Sequence, residues 1–212
     1  MPYSAYPGHL ITVQSGHMID AAISLLQQEL QNYLAIKDAT ATVVVDNIGF
    51  LETPNGDNLP NNIIISVVNV EEESTLKNQP AIKRNPPFNV TYENPPVFLN
   101  LYVLFTSNYW GDKYIFALKR ISYVVQFLQS KNSFSYGSSV TGAASADPDL
   151  LDLKFTMEIY TLTFEQLNHL WGSLGGRQIP FVMYKLRLVA ITERRRLREA
   201  PPILGVETGI SG

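Results

Sequence analysis

The residues able to do chemistry in this chain are few, and their spacing argues against most of the chemistry available to them. Three histidines occur, His9, His17 and His169, and none stands in the HxH or HExxH spacing that brings two imidazoles to one metal ion. Glu71, Glu72 and Glu73 are three carboxylates in a row. A calcium loop needs an Asp/Asn/Gly rhythm so that the backbone can wrap the ion. Along a strand, neighbouring side chains point to opposite faces, so these three would not converge on a cation. They read as a solvated strand end or as an acidic patch facing a basic partner.

Gly172-Ser173-Leu174-Gly175-Gly176-Arg177 has the glycines of a phosphate loop. Such a loop follows a strand and ends in Lys-Ser/Thr, whereas here a helical pattern precedes and a strand pattern follows. No serine sits in a GxSxG elbow. Zero cysteines remove disulfides, thiolate metal sites and cysteine catalysis. An enzyme would have to be assembled from residues remote in sequence, such as Glu158 with His169. Arg194, Arg195, Arg196 and Arg198 concentrate positive charge, but the run is short and lacks the interleaved aromatics that stack on bases. Docking to an acidic protein surface, or a plain solvated face, fits it better than nucleic acid. The expectation is no enzyme, no metal and no cofactor.

The elements that carry these residues are clearer than the residues' roles. Thr163 with Gln166 three residues on forms a capping-box pattern. Phe164, Leu167, Leu170, Trp171 and Leu174 recur at helical spacing, and Gly175-Gly176 supplies a stop. From Pro180 onward, Phe181, Met183, Lys185 and Arg187 alternate with Val182, Tyr184, Leu186 and Leu188. The strand predicted over 179–192 is long, so it either crosses the whole sheet or projects beyond it. Upstream, residues 19–36 predict an amphipathic helix, 41–50 a strand, 54–58 a hairpin tip rich in turn residues, and 63–70 a strand covered on both faces. Residues 71–96 form a long polar stretch, either a surface loop or a partner-binding arm. A strand over 97–106 and a helix over 114–129 follow, the helix with Ile115, Leu118, Ile121, Val125 and Leu128 on one face. Trp110 stands in the turn between them, where an exposed ring would anchor a partner. Residues 130–149 predict a second long loop, and 153–162 a strand with one wet face. The order of elements gives a single α+β domain with a mostly antiparallel sheet flanked by helices.

The chain is 212 residues long, 45% hydrophobic and 17% charged, with a net charge of −3. That length and composition support one substantial core and no global attraction to nucleic acid or anionic membrane. No apolar run approaches the roughly 18 residues of a membrane span. Residues 1–17 are expected to be a leader or disordered extension, 18–193 the folded domain, and 194–212 a basic C-terminal extension.

Four blocks carry a resemblance: MIDAAISLLQQELQNYL, IIISVVNVEEES, PPVFLNLYVLFTSNY and LNHLWGSLGGRQIPFVMYKLRLVAI. In this order they resemble the cap, or tube-terminator, family of phage-tail-like contractile injection systems, that of antifeeding-prophage and Photorhabdus-virulence-cassette particles. The matching hallmark positions are Glu71, Glu72, Leu170, Trp171, Gly175, Gly176, Pro180, Tyr184 and Arg187. Many relatives have Tyr after the GGR and Ser after the Pro, where this chain has Gln178 and Phe181, so local contact chemistry differs. The resemblance implies a structural protein similar to phage tail terminators. Such a protein is a six-fold ring of identical copies that ends the inner tube and sheath and ties them together, assembled in the bacterial cytoplasm and extracellular after release. Its implied partners are itself, the tube protein and the sheath protein, with no nucleic acid and no membrane insertion. The expected partner-contact residues are Glu71, Glu72, Trp110, Trp171, Arg177, Arg187, Arg194, Arg195, Arg196 and Arg198. The alternative is a soluble α+β module that holds a small ligand or peptide between helix and sheet.

Overall fold

Secondary structure begins with helix α1 (Met18–Lys37), which buries Ala22, Ile23, Leu25, Leu26, Leu30 and Leu34 along one stripe. The structure, a computed structural model, describes residues 18–51, 53, 59, 61–73, 82–85, 89–93, 97–109, 111–139, 153–188 and 196–200; at 82–85, 89–93 and 196–200 it describes the backbone. The strands are β1 (Val43–Val45), β2 (Ile63–Glu72), β3 (Ile82–Asn85), β4 (Asn89–Glu93), β5 (Leu99–Ser107), β6 (Ser133–Ser135), β7 (Lys154–Ile159), β8 (Phe181–Leu188) and β9 (Arg196–Ala200). The further helices are α2 (Tyr114–Ser130), the one-turn α3 (Tyr136–Ser139) and α4 (Phe164–Ser173). Six strands form one sheet in the order β1-β2-β5-β8-β7-β6, antiparallel except for the parallel β1–β2 pair. The expected α+β class with a mostly antiparallel sheet is what the structure has.

One face of this sheet is sealed by helices. Ile63, Ile65, Leu101, Val103, Phe105, Phe155, Met157, Tyr184 and Leu186 pack with the α1 stripe and with Val124, Phe127 and Leu128 of α2. Aromatic contacts tie the layers: Tyr33 meets Phe127 at 5.3 Å, Phe127 meets Phe134 at 5.9 Å, and Phe134 stacks on Phe155 at 5.0 Å. Each large side chain buried here removes enough apolar surface to contribute about 1.5–3 kcal/mol.

Several expectations change. The strand predicted over 41–50 is only three residues long, because the Asn47 side chain accepts from Gly49 N at 2.9 Å and starts a 3-10 turn at Ile48–Phe50. Val43 then pairs with Ile63 in parallel, so a hairpin does not join β1 to β2; residues 54–58 themselves lie outside the described residues. Helix α2 buries Ala117, Arg120, Val124, Phe127 and Leu128, and leaves Ile115 and Leu118 exposed. The period was read correctly and the phase was off by about one residue, roughly 100° of helix rotation. Arg120 fixes that phase: its Nε donates to Asp38 Oδ2 at 3.1 Å and its Nη2 to Thr40 Oγ1 at 2.8 Å, over the Tyr109 ring at 4.4 Å.

The polar stretch 71–96 holds strands β3 and β4, and β9 joins them in a separate three-stranded antiparallel sheet, β3-β4-β9. Residues 74–81 and 94–96 lie outside the described residues. Strand β8 covers Phe181–Leu188 of the long strand predicted over 179–192, and residues 189–195 are likewise outside. The loop predicted over 130–149 contains β6 and α3.

The outer margin of β1 is engaged by α1. Gln27 Nε2 donates to Val43 O at 2.9 Å, Gln31 Nε2 donates to Ala41 O at 3.1 Å, and Gln31 Oε1 accepts from Val43 N at 2.8 Å. The alternate backbone groups of this segment serve β2, as in Ile63 N donating to Thr42 O at 2.9 Å.

Candidate partner interface

The second face of the sheet is covered over only part of its length. Its covered part packs Ile64, Leu104 and Met183 under Ile48, Leu59 and Trp171. Helix α4 sits there because its start and stop are locally fixed. Gln166 N donates to Thr163 Oγ1 at 3.2 Å and Thr163 N donates to Gln166 Oε1 at 3.0 Å, the reciprocal capping box that the sequence predicts. Gly175 and Gly176 end it at φ of 106° and 85°, a region that side chains with a Cβ rarely adopt. Trp171 meets Phe181 edge-on at 5.4 Å and is 4% exposed. Its Nε1 has no hydrogen-bond partner among the described residues. An expected contact residue is thus a packing residue of its own chain, and Tyr184 likewise is buried against Phe105 on the helical face.

Beyond α4 the same face is open and charged, and a β-bulge makes it so. The β2–β5 register jumps between Val67 and Asn69, leaving Val68 as the extra residue. With side chains alternating every two residues, one extra residue exchanges the faces. After the bulge, Asn69 and Glu71 share the face of Asn100 and Tyr102, while Glu72 points to the other side. The cross-strand row runs Glu71, Asn100, Arg187, Thr156. The expected pair Glu71 and Arg187 therefore lies on one row, separated by a single strand.

Hydrogen bonds knit this row to its neighbour. Tyr102 OH donates to Glu71 Oε2 at 2.9 Å, Asn69 Nδ2 to Glu71 Oε1 at 3.0 Å, and Asn100 Nδ2 to Glu73 Oε2 at 2.8 Å. Tyr160 stands edge-on to Tyr102 at 4.9 Å, and Lys185 Nζ lies 5.9 Å from the Tyr102 ring centre. Burial, helped by the Glu71 carboxylate that accepts its proton, pushes the Tyr102 phenol up to about 12. Arg187 Nε reaches Glu158 Oε2 at 3.4 Å with both side chains half exposed. Such a pair is worth little to stability in water, so both groups can exchange partners cheaply. The open patch thus sets carboxylates on β2, cations on β8 and both signs on β7. It can hold a protein surface of mixed charge.

Arg177 is exposed in the loop after α4, apart from this row. Arg196 and Arg198 fall in β9, paired with β4 at Glu93 and Tyr92. Trp110, Arg194 and Arg195 lie outside the described residues. Sequence reasoning missed Asn100 and Tyr102. The available signal was a lone amide within the apolar run PPVFLNLYVLF. Among the described residues no group of three or more His, Asp or Glu could hold a metal ion, and no helix is long and apolar enough to cross a membrane.

Comparison with known proteins agrees with this architecture. The sheath/tube terminator of the extracellular contractile injection system PVC, in its extended state, superposes with a TM-score of 0.60 at 14% identity, over 92% of this chain and 63% of that one. The tube-terminating cap of the anti-feeding prophage superposes with a TM-score of 0.60 at 15% identity, over 89% of this chain and 60% of that one. At such identities the likeness is one of fold, and the chain spans about three fifths of the length of each. No curated protein sequence matches the chain. Residues 21–205 match the Pvc16 N-terminal domain, most of the polypeptide, and the chain therefore belongs to the Pvc16 N-terminal domain family.

Proposed function

We propose that this protein ends the inner tube and sheath of a contractile injection particle, acting as a ring of six copies that links the two and performs no catalysis. The observation that carries this is the fold likeness, over 92% of the chain, to a protein described as a sheath/tube terminator. Family membership over residues 21–205 supports it. So does the open mixed-charge patch around Glu71 and Arg187, which offers a weakly committed ion pair and hydrogen-bonded carboxylates to a filament end. Glu72, Arg177 and the arginines of 194–198 extend the contact surface. Residues 194–212 reach the sheath, and the particle assembles in the bacterial cytoplasm before it meets the exterior. Interfaces of this kind depend on matched shape and charge more than on any single bond.

The test is to image particles assembled without this protein. Tubes and sheaths of uncontrolled length are the expected result; uniform, normally closed particles would overturn the proposal. Deleting residues 194–212 is expected to release the sheath from the cap while the six-stranded domain still folds. Normal sheath attachment in that variant would remove the tail from the role.

A further inference from the structure

Two exposed features of this molecule are complementary, and their places in the fold keep them from meeting within one copy. The first is a cleft of about 270 Å³ lined by Thr40, Asn61, Tyr109, Lys113, Phe116 and Arg120. It is smaller than sites for drug-sized ligands and suits a side chain or two. Its floor is the Arg120 guanidinium, 4% exposed and held by Asp38, Thr40 and Tyr109. The Tyr109 hydroxyl is itself bound to Asn61 O. At the mouth, Lys113 Nζ stands 3.5 Å from Asn61 Oδ1, and Lys113 occupies the cap position of α2 without a side-chain capping bond. A 3-10 turn at Gly111–Lys113 leads into α2, so the positive end of that helix adds to the Lys113 cation at the mouth. Phe116 lines the cleft, and the outward side of the same helix is apolar and exposed, with Tyr114, Ile115 at 66% and Leu118. Such a cleft takes an aromatic body with a carboxylate beside it.

The second feature has that chemistry. Phe164, 87% exposed, is the first residue of α4, and Glu165 follows it, also exposed. A single exposed phenylalanine is ordinary. This one is held on a rigid capping box with an acid next to it, and its ring contributes nothing to its own core. The cleft opens on the α2 side of the sheet beside β1 and β2. Helix α4 lies on the opposite face and follows β7, the fifth of six strands.

We propose that Phe164 and Glu165 of one copy seat in the Tyr109–Lys113–Phe116–Arg120 cleft of the next, joining copies head to tail. A contact between unlike surfaces repeats head to tail and forms a ring when its rotation closes. The aromatic anchor buries about 150–250 Å², and the apolar rim of α2 contributes toward the roughly 800 Å² per partner that a standard interface uses. This inference rests on the ring reading above and names the surfaces that would build it.

The chain has no cysteine, so Lys113→Cys and Glu165→Cys in one polypeptide would supply the only two thiols, one on each side of the contact. Oxidation of assembled particles and of the free protein is expected to give a covalent ladder beyond dimer from the double variant, and nothing beyond monomer from either single variant. Particles that carry the double variant at their ends yet yield only monomer would overturn the contact and leave the capping role standing. Efficient dimers from a single variant would mean a symmetric contact and would overturn it as well. A ladder in the free protein, with particle length unaffected by the protein's absence, would instead overturn the capping role and spare the contact. In the double-cysteine background, Phe164→Ala should cut species beyond dimer by about tenfold or more, as loss of a central aromatic anchor does, with an unchanged Tm. A full ladder there would also count against the inference. Charge reversal at the two positions in an otherwise native chain, Lys113→Glu with Glu165→Lys, should restore the association that either reversal alone weakens.

Discussion

The helical face of the six-stranded sheet is closed by α1 and α2, whereas the opposite face is closed only where α4 and the turn at Ile48–Phe50 lie on it. The first face is an apolar layer with its ion pairs, Arg120–Asp38 and Lys131–Glu29, at the margin. The second ends in a patch of hydrogen-bonded carboxylates with one half-exposed ion pair, Arg187–Glu158. Packing thereby dominates one side of the strands, while the other keeps exchangeable polar groups beside its covered part. Residues on the sealed side fix the fold, and residues on the open side can be altered with little cost to it.

Substitutions can break that contrast or sharpen it. Leu26→Ala, at the centre of the sealed face, is expected to cost about 2–5 kcal/mol by the cavity it leaves, read as a lower urea midpoint. A cost under about 1 kcal/mol would mean that the face is loosely packed. Asp38→Ala leaves the buried Arg120 guanidinium without its carboxylate and should cost about 1–3 kcal/mol. The hydrogen bond from Thr40, outweighing the effect of burial and joined by Arg120, holds the Asp38 carboxyl below its ordinary value of 3.8. Its contribution is therefore present above that value and is lost as pH falls through the lowered folded value. Native protein and Asp38→Asn should therefore differ in stability by a steady amount above pH 3.8 and converge as pH falls through that window.

On the open face the effects are smaller. Tyr102→Phe removes the bond to Glu71 and should cost about 1 kcal/mol at neutral pH. The phenol's folded value of about 12 lies above its ordinary 10, so its contribution is full below pH 10 and fades as pH rises from 10 through 12. The phenylalanine variant should lack that alkaline loss in a pH series of melting temperatures. Arg187→Ala, at a half-exposed pair, should change stability by less than about 0.5 kcal/mol while reducing capture of the protein by tube or sheath in a pull-down. A large drop in Tm would show that the open face also carries the fold.

What the sequence disclosed follows the range of the forces involved. Helix α1 and the capped α4 were readable because their signals lie within a few residues: an apolar stripe, a Thr–Gln box, a pair of glycines. The phase of α2 was hidden, since it depends on Arg120 finding Asp38 and Thr40 far back in the chain. The parallel β1–β2 pair was hidden because Asn47 turns the backbone before a hairpin could form. The site was half readable. Glu71 and Arg187 were named as separate hallmarks, but only the bulge at Val68 decides that Glu71, and not Glu72, shares a face with Arg187. Strand β9, part of the expected basic tail, pairs with β4 from about half the chain away, a match that no local pattern announces. Trp171 carried an interface signal by residue type, and the sheet's need for a cover used it up.

Glutamines 27 and 31 have a consequence for the behaviour of the protein as a solute. A bare strand margin is a template on which another chain can lay its own strand, the first step toward stacked aggregates. Here the carbonyls of Ala41 and Val43 and the amide of Val43 already hold side-chain amides from the same polypeptide. A visiting strand would have to evict both glutamines before making its first bonds. A molecule whose proposed task is to halt the growth of a filament thus carries, along that margin, its own stop against filament growth.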